Sequence, residues 1–138
     1  MRRAMLLVGA VVAVTLAVAA VPAAANNKPV TGPRIAFFPA PPTMFVANSP
    51  FHIEQGFSCL LNDTPCVTSQ ITGQSTFHLY LDGVLQPSTP DVDVTDGAIR
   101  KLQLTNYPNG LHGTHMFVGV WILDGAVTMT ATMTISFV

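Results

Sequence analysis

The sequence predicts an all-β chain, an antiparallel sandwich of two sheets and about seven strands, preceded by a helical signal peptide. Three observations predict it. From Val127 to Phe137 the residues alternate strictly, with Val127, Met129, Ala131, Met133, Ile135 and Phe137 apolar and Thr128, Thr130, Thr132, Thr134 and Ser136 polar between them. That period of two gives a strand one buried and one wet face. Asp-Gly pairs at 82–83 and 124–125 separate such segments, and this pair readily supplies the positive φ angles of a two-residue hairpin turn. Finally, only 9% of residues are charged while 49% are hydrophobic. A β-rich chain of that kind has a surface of Thr, Ser, Asn and Gln, and its branched and aromatic residues argue against disorder.

The chain opens with Arg2 and Arg3, followed by an apolar run from Ala4 to Val21. Pro22 ends the run, and Ala23-Ala24-Ala25 presents the small residues that a signal peptidase reads. Residues 1–25 are therefore expected to be a cleaved signal peptide, 26–33 a flexible lead-in and 34–138 the sandwich domain of a secreted or extracytoplasmic protein. If the run stays uncleaved it is near the length of a membrane anchor, the only route to a membrane association. Loss of Arg2 and Arg3 moves the net charge from −1 to −3. So weak a field, without a basic patch, argues against nucleic acid as a partner.

Taken in order, Ile35–Phe38 is a short apolar strand closed by Pro39, Pro41 and Pro42, which suit a sheet edge. Thr43–Ala47 resumes as a second edge piece. Phe51–Phe57 alternates, with Phe51, Ile53 and Phe57 turned inward, and Gly56 permits a bulge. Residues 58–74 read as an exposed connection holding both cysteines, and no helix is expected after the signal. Thr76–Leu81 carries Phe77, Leu79 and Leu81 on one face and His78 and Tyr80 on the other. Asp82-Gly83 turns it into Val84–Gln86. Residues 87–90 are a loop, Asp91–Asp96 an acidic stretch closed by Gly97, and Ala98–Thr105 a strand with either Ile99 or the pair Leu102 and Leu104 as core candidates. His115–Leu123 then pairs with the terminal strand.

The cysteines, Cys59 and Cys66, enclose a short loop in the part of the chain expected to meet oxidising conditions, which favours a local structural disulfide. A redox pair or half of a metal site are the alternatives.

The stretch Leu104-Thr105-Asn106-Tyr107-Pro108-Asn109-Gly110-Leu111-His112-Gly113-Thr114-His115-Met116-Phe117 resembles an immunoglobulin-like or fibronectin III-type β-sandwich of the kind common in secreted bacterial proteins. In such domains a Gly-rich polar loop leads into the sixth strand. There a small residue precedes an aromatic that bonds back to the loop, and a core residue follows. Gly113, His115 and Phe117 match those places. Histidine stands for tyrosine, Phe117 for the core cysteine, and Trp121 lies on the sixth strand instead of the third. The resemblance implies an immunoglobulin-like sandwich and carries no activity.

The residues that could bear chemistry are few. His52, His78, His112 and His115, with Met116, Met129 and Met133, have the ligand chemistry of a copper or zinc site. Against this, His115 suits the loop corner and the methionines suit a core. Asp91, Asp93 and Asp96 form a sparse calcium-loop pattern, though aspartates in turns commonly stabilise the turn itself. Glu54, Asp63, Asp82 and Asp124 form no recognisable acid–base pair, and no nucleophile motif or phosphate-cradling loop is present. No cofactor and no catalysis are expected. Met116, Val118, Val120 and Ile122 make the second face of His115–Leu123 apolar as well, and Tyr80 and His78 join them if the strands are neighbours. This face is the expected interaction surface, for a protein or a cell-envelope component. A small extracytoplasmic metal-binding protein is the alternative function.

Overall fold

The computed structural model describes residues 30–138. The expected signal peptide and the first part of the lead-in lie outside the described residues. The strands run β1 (Arg34–Ala36), β2 (Met44–Phe45), β3 (Phe51–Leu60), β4 (Ser75–Leu81), β5 (Val84–Leu85), β6 (Thr89–Thr95), β7 (Ala98–Tyr107), β8 (Gly113–Leu123) and β9 (Ala126–Phe137). They form a four-stranded sheet ordered β1-β3-β7-β6 and a five-stranded sheet ordered β2-β9-β8-β4-β5. The pairings are antiparallel except for β1 with β3 and β2 with β9. These exceptions arise because the first extended segment is split, its two halves joining different sheets on either side of the prolines.

The core lies between the sheets. Phe51, Phe117, Phe137, Ile35, Ile53 and Ile135 are its fully buried side chains. Phe51 is stacked between Tyr107, with centroids 4.6 Å apart, and Phe137 at 5.2 Å. Three Asp-Gly pairs, 82–83, 96–97 and 124–125, have both residues at positive φ, as two-residue hairpin turns require.

Four expectations need correction. The connection after β3 is not wholly irregular: a helical turn, Thr64–Cys66, runs into a π-helical turn, Val67–Ile71. Asp63 caps it by accepting a hydrogen bond from the Cys66 N–H at 3.1 Å, and the Cys59–Cys66 disulfide ties it to β3. Ile71 is buried against Cys59 and Ile99, so this segment closes one end of the sandwich. The loop expected at residues 87–90 is also cut short, because Thr89 and Pro90 already belong to a strand that continues through the acidic stretch. Thr89–Thr95 is an edge strand whose Asp93 side chain is buried and bound by Arg100, with Nε to Oδ1 at 2.7 Å, and Pro90 is tolerated there because the edge needs no donor.

The apolar row of β9 is only partly internal. Met133, Ile135 and Phe137 are buried, whereas Val127 is 62% and Met129 36% exposed. The bulge between Trp121 and Ile122 sets Val127 opposite Ile122 and so turns it to the outer face, whereas Met129, opposite Trp121, stays on the inner side with the opposite sheet covering it only in part. Lastly, the first strand ends at Ala36 and not at Phe38, although burial still alternates beyond it, with Phe37 buried and Phe38 exposed. Among the described residues no helix is long and apolar enough to cross a membrane.

Candidate functional site

On β8, Phe117, Gly119 and Trp121 are buried, so Met116, Val118, Val120 and Ile122 project from the outer face of the five-stranded sheet. β4 is the neighbour on one side: Tyr80 lies opposite Val118, His78 opposite Val120 and Thr76 opposite Ile122. β9 is the neighbour on the other, with Thr134 opposite Met116, Thr132 opposite Val118 and Thr130 opposite Val120. Leu85, exposed and paired with Tyr80, extends the apolar strip to the β5 edge. The sequence-predicted residues Tyr80, Met116, Val118, Val120 and Ile122 thus share one surface. His78 and Tyr80 pack edge to face there, with ring centroids 6.3 Å apart. Met116 is exposed, and the other four predicted residues are half-buried by their neighbours. None of the side chains these three strands present on this face carries a fixed charge. Leu85 was not legible as part of it, because only the β4–β5 pairing brings it there.

Below this face the β8 entry is held by a polar corner. His115 Nδ1 donates to Asp82 Oδ2 at 2.6 Å, and Nε2 donates to the His112 carbonyl at 3.0 Å. Both partners are acceptors, so the arrangement favours the doubly protonated imidazole. The Asp82 carboxylate raises the His115 pKa, chiefly through this hydrogen bond. Asp82 in turn accepts the Met116 N–H at 2.9 Å. That bond, followed by the one from His115, holds the Asp82 carboxyl below its ordinary value. The β4–β5 turn is thereby fastened to β8.

The other histidines lie elsewhere. His52 is buried on β3, its Nδ1 within 3.2 Å of the Thr31 carbonyl and 3.0 Å of the Gly32 carbonyl. His78 lies on the outer face just described, and His112 is exposed in the loop before β8. Among the described residues, no three His, Cys, Asp or Glu side chains converge in a way that could hold a metal ion. The aspartates of the calcium-loop pattern are separated too, Asp91 and Asp93 on β6 and Asp96 in the following turn.

A groove of about 230 Å³ opens beside β1, lined by Phe37, Phe38 and Trp121 and by Arg34, Glu54 and Arg100. Its charged groups are spent on one another: Arg34 bonds Glu54 at 3.2 Å, and Arg100 is held by Asp93, whose hydrogen bond raises the guanidinium pKa. The cysteines are joined to each other. Comparison of the chain with protein families, curated proteins and solved structures returns no match.

Proposed function

We propose that this chain is a secreted, non-catalytic immunoglobulin-like module that binds a protein or cell-envelope component through the outer face of β4 and β8. The observation that carries the reading is the uncharged strip of Met116, Val118, Val120 and Ile122, flanked by Tyr80 and a row of threonines. An apolar strip in mid-sheet, open to solvent and rimmed by polar groups, is what an interaction site requires.

The immunoglobulin-like part has two supports. In the lettering used for such sandwiches, β1-β3-β7-β6 follows the order A-B-E-D, and β8 with β4 follows F with C. His115 also bonds back to the loop from the position at which a tyrosine corner does. The secreted part rests on the sequence of residues 1–25 and on a disulfide that suits an oxidising compartment.

The test is a Val118→Lys/Val120→Lys variant, compared with the wild type for binding to cell envelopes of the source organism. Circular dichroism would first verify the fold. Retention of the wild type and at least tenfold weaker retention of the variant is the expected result. Equal retention of both, or retention of neither, rejects the reading.

A further inference from the structure

We infer that β9 carries a second, separate interface: its free edge pairs antiparallel with the same edge of a second copy of this chain. β2 covers only the end of β9, with Met44 opposite Ser136 and Phe45 opposite Phe137. From Ala126 to Ile135 the outer edge of β9 has no neighbouring strand among the described residues. The ladder fixes which groups line that edge. Ser136 donates its N–H outward to the Thr43 carbonyl and Val138 donates outward to Phe45. By the alternation of a strand, Thr130, Thr132 and Thr134 direct their N–H and C=O groups the same way.

This edge lacks the devices that ordinarily block pairing. Residues 126–138 include no charged residue, no proline and no glycine, where an edge strand is commonly protected by lysine, proline or a short length. A bulge occurs only near the hairpin end, at the step from Trp121 to Ile122.

A second copy fits better than a foreign strand because the segment is complementary to itself. A two-fold axis beside Ala131 sets Thr130 of one protomer opposite Thr132 of its partner, and Met129 opposite Met133. Hydroxyl residues then meet hydroxyl residues on one face and apolar residues meet apolar ones on the other. The smallest side chain of the segment sits on the axis. No like charges approach, and the exposed Met129 gains an apolar neighbour. Such a contact is isologous and closes as a dimer instead of growing into a filament. It joins the two five-stranded sheets through main-chain hydrogen bonds, the same chemistry by which peptides add to sheet edges.

Two variants test it, alongside Val118→Lys/Val120→Lys. Thr132→Pro removes an N–H that points at the partner and serves no strand within the protomer. Thr130→Lys/Thr132→Lys keeps every N–H and sets lysines against lysines across the axis. The full chain, as processed on expression, is run by sedimentation equilibrium at micromolar to submillimolar concentration. The expected result is twice the chain mass for the wild type and for Val118→Lys/Val120→Lys. Both β9 variants should show a single chain mass with unchanged circular dichroism, and the lysine variant should re-associate at high salt. A monomeric wild type overturns the inference. So does a dimer that survives both β9 substitutions, or one lost only on substitution at Val118 and Val120. The last two outcomes leave the β9 edge unused and place any self-association on the other face.

Discussion

Trp121, on the inner face of β8, donates its indole N–H to the carbonyl of Gly56 on β3 at 2.9 Å, across the interior from one sheet to the other. Gln55, the neighbour of Gly56, makes the return connection. Its side-chain amide donates to the Val120 carbonyl at 2.9 Å and to the His78 carbonyl at 3.2 Å. Two sheets held by apolar contact alone can slide, whereas these directional bonds fix their relative position. They lie directly beneath Val120 and His78, so the outer face is supported from within by the same pair of residues.

Trp121→Phe should therefore destabilise the fold. It removes the donor while leaving the Gly56 carbonyl in place, and it shrinks a side chain that is 2% exposed. The expected cost is about 1–3 kcal/mol, read from urea unfolding midpoints at constant slope. No change in midpoint would mean that the indole bond contributes nothing net.

The disulfide gives a second prediction. Cys59 and Cys66 are 7 residues apart, and the bridge holds the helical turn that brings Ile71 over Cys59 and Ile99. Closing a loop this short restricts the unfolded chain by about 2.5 kcal/mol. Cys59→Ser/Cys66→Ser should lose at least that much in chemical denaturation, since serine at the buried position 59 adds an unmatched hydroxyl. Amide exchange across Val67–Ile71 should rise more than across β8.

The residues that were legible beforehand obey local rules. The alternation in β9 from Met129 onward, the Asp-Gly turns at 82–83 and 124–125 and the outer placement of Tyr80 all follow from spacing. What could not be read depends on contacts distant in the chain. Thr64 to Ile71 has a polar, Pro-containing sequence of poor helix propensity, and its turn is held by the Asp63 cap and the disulfide. Asp93 reads in the sequence as part of a calcium-loop pattern, whereas in the fold Arg100, across the hairpin, supplies its counter-charge. The candidate surface was legible as an apolar row, but its neighbours were not: Leu85 and the threonines reach it only through strand pairing. The Trp121–Gly56 bond, between residues 65 apart, leaves no trace in spacing.

The His115–Asp82 pair predicts a pH dependence of definite sign. The folded pKa of His115 is raised. Its contribution is full below the ordinary histidine value of about 6.5 and is lost as pH rises through the higher folded value. The folded pKa of Asp82 is lowered. Its contribution is present above the ordinary value of about 3.9 and is lost as pH falls through the lower folded value. The corner is thus strongest between roughly pH 4 and 6.5. Melting temperatures of the wild type should decline from pH 6 towards alkaline pH relative to His115→Gln, which cannot take up the proton. Parallel profiles for the two proteins would show that the pair does not couple folding to pH.

Gly119 predicts a non-additive pair with Phe37. A Cβ at position 119 would lie 2.8 Å from the Trp121 ring and 2.9 Å from the Phe37 ring. These two rings already meet edge to face, with centroids 5.5 Å apart. Neither is free to withdraw, because Trp121 is tied to Gly56 and Phe37 is buried where the chain leaves β1. Gly119→Ala should cost about 1–3 kcal/mol through overpacking, and Phe37→Ala about 3–5 kcal/mol through the cavity it leaves. In the double variant the added methyl occupies part of the space the ring vacated. The combined loss should fall short of the sum of the two, with a coupling of at least 0.5 kcal/mol in a double-mutant cycle. Strict additivity would place the Phe37 ring away from Gly119 and remove the packing reason for glycine at that position.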